Sequence, residues 1–199
     1  MTYAPKRLLL IQGHPDPAGG HFCHALAQSY ADAALAAGHQ VRRVEIAQLD
    51  FPLLRSQTEW EHGETPQALQ QAQQDIAWCQ HLMLLFPLWL GDMPALLKGF
   101  LEQVARPDFA FQKDGGPNPF GQKKLRGRSA RVLVTMGMPA LVYRYIFRAH
   151  SVKSLERNVL GFVGFGPIHE TLIGGMGSIS AADRLKHLEK LAELGRKGD

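Results

Sequence analysis

Residues 82–104, LMLLFPLWLGDMPALLKGFLEQV, constrain the fold of this chain more than any other stretch. Leu82, Met83, Leu84, Leu85 and Phe86 form an unbroken apolar run, which suits a strand buried on both faces of a parallel sheet. Pro87 then bends the chain, Trp89 sits on an exposed tip, and Pro94 opens an amphipathic helix. That helix carries Leu96, Leu97, Phe100, Leu101 and Val104 on one side. Proline is tolerated there because first-turn N–H groups have no partner within the helix. A buried strand, a loop with a flat aromatic and a helix together make a crevice at the carboxyl edge of a parallel sheet.

The same alternation runs along the whole chain. Strands are predicted at 6–12, 41–46, 82–86, 130–136 and 168–173. Helices are predicted at 21–37, 66–79, after Pro94, through most of 139–160, and at 181–196. Gly38 ends the first helix and Ser180 is placed to cap the last. Residues 50–63 read as irregular, and 106–127 as a long insertion with Pro107, Pro117 and Pro119. Strand–helix alternation predicts a single α/β domain over 1–199, a parallel sheet with helices on both faces.

Composition narrows the class. The 199 residues are 45% hydrophobic and 20% charged, the balance of a folded globular protein. Cys23 and Cys79 cannot build a disulfide framework, so a reducing, cytoplasmic setting is expected. The N-terminus lacks a signal-peptide layout, and no apolar run approaches the roughly 18 residues a membrane helix needs. Net charge is +4, with the densest cluster at Lys123, Lys124, Arg126, Arg128 and Arg131. No aromatics are interleaved there, so it reads as a solvated loop rather than a nucleic-acid surface. The nine histidines show no metal-ligand spacing, and no metal site is expected.

Ligands of doubly wound sheets gather beyond strands one, three and four. Loop one, GHPDPAGGHFCHAL, brings His14, His21, Phe22 and Cys23 to a helix N-terminus, where backbone N–H groups can meet a phosphate. Taken alone it reads equally as an ordinary connection. Cys23 reads either as a thiol with a lowered pKa or as a small packing residue. In loop three, Trp89 beside Gly91 either packs inward or lies on a ligand ring. In loop four, Gly137 allows close backbone approach. Tyr143 and His150, seven residues apart, fall about two turns apart on one helical face and could hold or donate a proton. A buried Tyr with an exposed His is the alternative. Gly174, Gly175 and Gly177 read as a mobile turn before the last helix.

Together these loops resemble the flavodoxin-like NAD(P)H:quinone oxidoreductases of the DT-diaphorase type. The stretch from Phe86-Pro87-Leu88 to Met93-Pro94-Ala95-Leu96-Leu97-Lys98-Gly99-Phe100 is similar to that family's FPLQWFxxPAILKGW segment. Pro107-Asp108-Phe109-Ala110-Phe111 resembles its FAY element, and Thr135-Met136-Gly137-Met138 stands where it has Thr-Thr-Gly-Gly. The resemblance implies a flavodoxin-like doubly wound five-stranded sheet of order 2-1-3-4-5. It implies FMN or FAD, with NAD(P)H as co-substrate and a quinone-like small molecule as acceptor, in a ping-pong reaction of a homodimer. His14, His21, Phe22 and Cys23 would hold the flavin phosphate. Pro87, Leu88, Trp89, Leu90 and Gly91, with Thr135, Met136, Gly137 and Met138, would contact the ring. Arg184 would reach the nucleotide end, and Phe109, Ala110 and Phe111 would wall the substrate pocket. Tyr143 and His150 would be catalytic, offsetting charge on the reduced ring. The alternative is an electron-carrier or ancillary flavoprotein of the same fold, for example serving a membrane transporter. Trp89-Leu90-Gly91 in place of Gln-Trp-Phe, His21-Phe22-Cys23 in place of Ser/Thr-Phe-Asn, and the two methionines of loop four depart from the family pattern.

Overall fold

Alternate residues of the central strands face opposite layers, and this division organises the molecule. In β1 (Arg7–Gln12), Leu8 and Leu10 point to one face, and Leu9 and Ile11 to the other. Two further strands divide likewise. One precedes loop three: in it Met83 and Leu85 oppose Leu82, Leu84 and Phe86. The other precedes loop four: in it Leu133 opposes Ala130, Val132 and Val134. Strands apolar on both faces must lie inside the sheet. The computed structural model, which describes residues 3–112 and 122–199, places them so. With β2 (Gln40–Glu45), β3 (His81–Pro87), β4 (Ser129–Thr135) and β5 (Ile168–Ile173), the order is β2-β1-β3-β4-β5, every pair parallel. This is the expected 2-1-3-4-5 arrangement.

Helix α1 (Phe22–Ala36) and the last helix, α8 (Ala181–Lys197), cover one face. Ser180 caps α8 by accepting the Asp183 N–H, as its position implied. The other face is covered by α3 (Gln67–Trp78), α4 (Ala95–Val104) and the helical segments after β4.

The sequence reading needs correction at three places. Residues 50–63 are not wholly irregular, because α2 spans Gln57–His62. Its start was marked by Ser56-Gln57-Thr58-Glu59, a capping signal: Ser56 Oγ accepts the Glu59 N–H at 3.1 Å, and Glu59 accepts the Arg55 N–H at 3.0 Å. The stretch 139–160 is not one helix. It comprises α5 (Ala140–Tyr145), a left-handed break at Arg148 and Ala149, α6 (His150–Ser154), and a π turn over Leu155–Leu160 that runs into α7 (Gly161–Val163). The turn after β5 is tightly packed rather than loose. A Cβ at Gly174 would lie 2.2 Å from the Ala140 nitrogen, and Gly175 and Met176 donate to the Met138 and Met136 carbonyls.

In the 106–127 insertion, Phe111–Gln112 pairs antiparallel with Gln122–Lys123, while residues 113–121, with Pro117 and Pro119, lie outside the described residues. The basic cluster is largely committed to internal acceptors. Lys123 donates to the Gly161 carbonyl, Lys124 to that of Asp108, Arg128 to that of Ala77, and Arg131 pairs with Asp199. Among the described residues no helix is long and apolar enough to cross a membrane.

His81, at the start of β3, is 1% exposed, with Nδ1 bonded to Ser129 Oγ at 2.8 Å. Burial pushes its pKa down to about 4. The unfolded chain therefore takes up a proton near pH 6.5 that the folded chain refuses until about pH 4. Stability should fall as pH drops through that window, by up to about 3 kcal/mol from this group. Urea titrations at pH 7 and pH 4.5 check it: His81→Asn should narrow the gap between the two pH values.

Candidate active site

A cavity of about 400 Å³ opens beyond the carboxyl ends of β1, β3 and β4. That is within the roughly 300–1,000 Å³ typical of small-molecule sites, at the topological switch point where a doubly wound sheet collects its ligand. His14, His21, Phe22, Cys23, Pro87, Leu88, Trp89, Thr135, Met136, Gly137 and Arg184 line it, all residues singled out from the sequence. Gly20 and Met176 line it as well and were missed; Met176 follows β5, whose loop the switch-point argument left aside.

Loop one is fixed by a residue the sequence reading passed over. Gln12, 1% exposed, accepts the His14 N–H through Oε1 at 3.1 Å and the Cys23 thiol at 3.3 Å. Its amide donates to the Cys23 carbonyl at 3.2 Å. Gly13 is wedged beside β3: its N–H reaches the Leu85 carbonyl at 2.6 Å, and a Cβ there would lie 2.8 Å from Leu97. Only a residue without a side chain lets the loop pass so close. Gly19 and Gly20 then adopt positive φ and lead into α1. No side chain caps α1; the His24 and Ala25 N–H groups donate to the His21 carbonyl, which leaves those of Phe22 and Cys23, both cavity-lining residues, for a ligand.

Three imidazoles crowd this end. His14 and His21 stack with centroids 4.0 Å apart and planes 17° from parallel, and His24 lies 5.0 and 5.7 Å from them. Asp16 holds His21 Nε2 at 2.7 Å, and that bond lowers the Asp16 pKa. Burial, with repulsion from His21 and His24, drives His14 down to about 4, so its ring is neutral. Arg184, at the start of α8, sits with its guanidinium 5.2 Å from the Phe22 ring centroid. The lining contains Arg184 and no carboxylate, so this end suits an anion.

The opposite wall is apolar. The Leu88 N–H bonds the Thr135 carbonyl at 2.8 Å, tying loop three to loop four. Trp89 and Asp92 exchange backbone bonds across a two-residue turn with Leu90 at φ 49 and Gly91 at φ 82, the type I′ geometry. Leu90 and Gly91 thus form the apex of a tip and do not line the cavity, nor does Met138.

The methionines of loop four leave the space open. Met136 is 3% exposed and packs in the core beneath the loop, and Met138 packs on the same core. A Cβ at Gly137 would meet nothing within 4 Å. Cys23 is a packing residue, the second of the two readings its position allowed: burial pushes its thiol up to about 12.

Tyr143 and His150 are not two turns apart on one helix, because the left-handed Arg148–Ala149 break separates them. Tyr143 is 2% exposed and bonds Ser151 Oγ at 2.7 Å, whereas His150 is exposed beside Lys153 and Arg157. Neither lines the main cavity. Phe109, Ala110 and Phe111 do not line it either. Phe111 meets Trp60 and Phe162, with centroids 5.6 and 5.1 Å away, in a separate apolar hollow of about 230 Å³. Phe109 borders a third hollow beside Arg106, and Ala110 is buried.

The sheet order and the cavity at its reversal point define a doubly wound α/β protein with a pre-formed cavity of small-molecule size. A family model of the flavodoxin-like fold (Flavodoxin_2) matches residues 6–194, and the chain belongs to that family. It is 23% identical over 189 residues to a Haemophilus influenzae protein named an uncharacterized NAD(P)H oxidoreductase, covering 93% of this chain and 92% of the relative. The fold is shared with an NAD(P)H:quinone oxidoreductase from Methanothermobacter marburgensis, at TM-score 0.78 and 21% identity over 98% of this chain and 100% of that one. It is shared too with an FMN-dependent NADH-azoreductase from Bacillus anthracis in complex with FMN, at TM-score 0.71 and 13% identity over 94% and 97% of the two chains.

Proposed function

We propose that this chain is a flavin-dependent NAD(P)H:quinone oxidoreductase acting on quinones or similar small acceptors. The observation that carries the reading is one cavity with two unlike ends. One is a cationic, N–H-rich phosphate end at α1, and the other a stiff apolar wall of Pro87, Leu88 and Trp89. The names of its relatives and structural neighbours support the same class of reaction.

The residues present fit a flavin. His14, whose Nε2 has no hydrogen-bond partner among the described residues, and the α1 N-terminus would hold the phosphate, with Arg184 adding charge. Trp89 and the Thr135–Gly137 backbone would hold the ring, and Gly137 leaves it room. Bound there, a flavin would supply hydride transfer from NAD(P)H to an acceptor in two half-reactions. The protein's part is to orient the ring, exclude water from its buried edge and meet charge developing on it with fixed N–H dipoles. Tyr143 and His150 enter this reading as the proton-holding pair if the exposed α5–α6 segment meets the cavity of a second subunit.

A homodimer belongs to the proposal. Of the nine large apolar residues more than half exposed among the described residues, six lie on two stretches: Trp89 and Leu90, and Leu141, Tyr145, Ile146 and Phe147. Exposed apolar groups so concentrated mark an association surface. The two unpaired cysteines accord with a cytoplasmic setting.

An absorbance spectrum tests the cofactor. Purified protein loaded with FMN or FAD should show flavin bands that bleach on adding NADPH or NADH and return with a quinone. Protein that retains neither flavin sinks the reading. Sedimentation should give a dimer, and a double change, Tyr145→Glu with Ile146→Glu, should shift it to monomer; a wild-type monomer at micromolar concentration removes the dimer from the proposal.

A further inference from the structure

The phosphate end holds more imidazole than anion binding requires. We propose that His14, His21 and His24 make this subsite a proton-coupled clamp, which takes up a proton when it binds a phosphate monoester dianion and binds it more tightly as pH falls. The inference rests on the flavin reading for the identity of the ligand, and on three observations for the coupling.

The rings are close enough to act on one another, with centroids 4.0, 5.0 and 5.7 Å apart. Two cationic imidazoles at such spacing repel, so the empty cluster resists protonation. Next, the polar atoms needed are unspent. His14 is 6% exposed and lines the cavity. Its Nδ1 accepts the Asp16 N–H at 3.1 Å, which puts the neutral ring's proton on Nε2, and that nitrogen has no partner among the described residues. His24 does not line the cavity; its Nδ1 is buried and unpartnered among the described residues, so it acts on the other two rings from behind them. Finally, the groups facing the cluster leave it short of negative charge. Asp16 is engaged by His21 Nε2 and the Ala18 N–H. From β2, Glu45 favours protonation of His24 and Arg43 opposes it, and these two side chains pair with each other at 3.1 Å. From α8, Arg184 adds positive charge, and the buried Cys23 thiol and Trp89 add none.

Burial and mutual repulsion accordingly hold His14 and His24 below the ordinary imidazole value. A phosphate dianion at the α1 N-terminus reverses the sign of the local field. It favours an added proton on His21 or His24, since His14 Nε2 already carries the neutral ring's proton and its Nδ1 accepts the Asp16 N–H; the proton comes from solvent. The balance is one phosphate dianion and up to one proton taken from water per site. Linkage then ties affinity to pH, with tenfold per pH unit as the limit for one proton.

Titration calorimetry between pH 6.5 and 8.0, in two buffers of different ionisation enthalpy, reads the proton count directly. The probes are FMN, riboflavin and inorganic phosphate. FMN should bind at least about fivefold more tightly at pH 6.5 than at pH 8.0, with roughly half to one proton taken up near pH 7. Riboflavin, which lacks the phosphate, should show neither effect. His21→Gln with His24→Gln should still bind FMN but lose most of the uptake, with circular dichroism melting confirming the fold. FMN binding with no proton uptake in the wild type overturns the clamp and leaves the flavin reading standing. So does uptake that persists undiminished in the double variant. Inorganic phosphate bound with proton uptake, while neither flavin binds, supports the clamp and overturns the flavin reading. If no phosphate-bearing probe binds, both are overturned.

Discussion

Gly195→Val is expected to destabilise the protein by about 3 kcal/mol, the upper part of the range for overpacked sites. Gly195 lies on the inner side of α8 against α1, and a Cβ there would stand 2.2 Å from the Tyr30 carbonyl oxygen and 3.2 Å from the Ala34 nitrogen. Both atoms are α1 backbone, held by its own ladder, so they cannot swing aside as a side-chain tip would. The helices must separate, and the core between them, Leu26, Ala27, Tyr30 and Leu191, loses contact. A glycine in a helix interior is itself unfavourable by about 1 kcal/mol relative to alanine. Close packing therefore outweighs helix propensity at this position. Urea unfolding reads the loss as a lower midpoint at unchanged slope. Gly137→Ala is the control: its Cβ would meet nothing within 4 Å, so stability should move by less than about 0.5 kcal/mol. Equal midpoints for Gly195→Val and the wild type would sink the argument.

Arg184→Glu should weaken binding of FMN or FAD on the order of 100-fold, about 2.7 kcal/mol, while changing riboflavin affinity by less than about threefold. Arg184 lines the anion end of the cavity, lies over Phe22, and forms no ion pair among the described residues. It is also exposed, so the fold does not depend on it. Reversal removes an attractive charge and adds a repulsive one beside the site proposed for the phosphate. Raising salt should shrink the difference, because an exposed cation is screened over a Debye length of about 8 Å at physiological ionic strength. Fluorescence quenching titrations at two salt concentrations measure both effects. An equal loss for riboflavin would mean that Arg184 supports the ring or the loop rather than the phosphate.

Much of the site was legible because its parts carry local signatures. Gly13, the Gly19–Gly20 pair and the following helix start announce a strand–loop–helix passage, and Phe86-Pro87 and Thr135 mark the ends of buried strands. Gln12 was not legible: it reads as the last polar residue of a strand, and only the folded loop reveals three hydrogen bonds converging on it. Nor was the histidine cluster, because His14 and His21 stack only after two positive-φ glycines turn the chain back. The α2 helix could have been read from Ser56 and Glu59, whereas the break at Arg148–Ala149 could not, since neither residue favours a left-handed backbone.

The sequence by itself determined the doubly wound layout: alternating side-chain faces and apolar strand runs report burial residue by residue, and burial on both faces admits few arrangements. Only the tertiary structure decided where Tyr143 and His150 stand, that Phe111 faces Trp60 and Phe162, and that Met136 is buried in the wall of a cavity that stays open. Those outcomes depend on contacts between residues distant in the chain and on backbone angles imposed by packing, which no local pattern encodes.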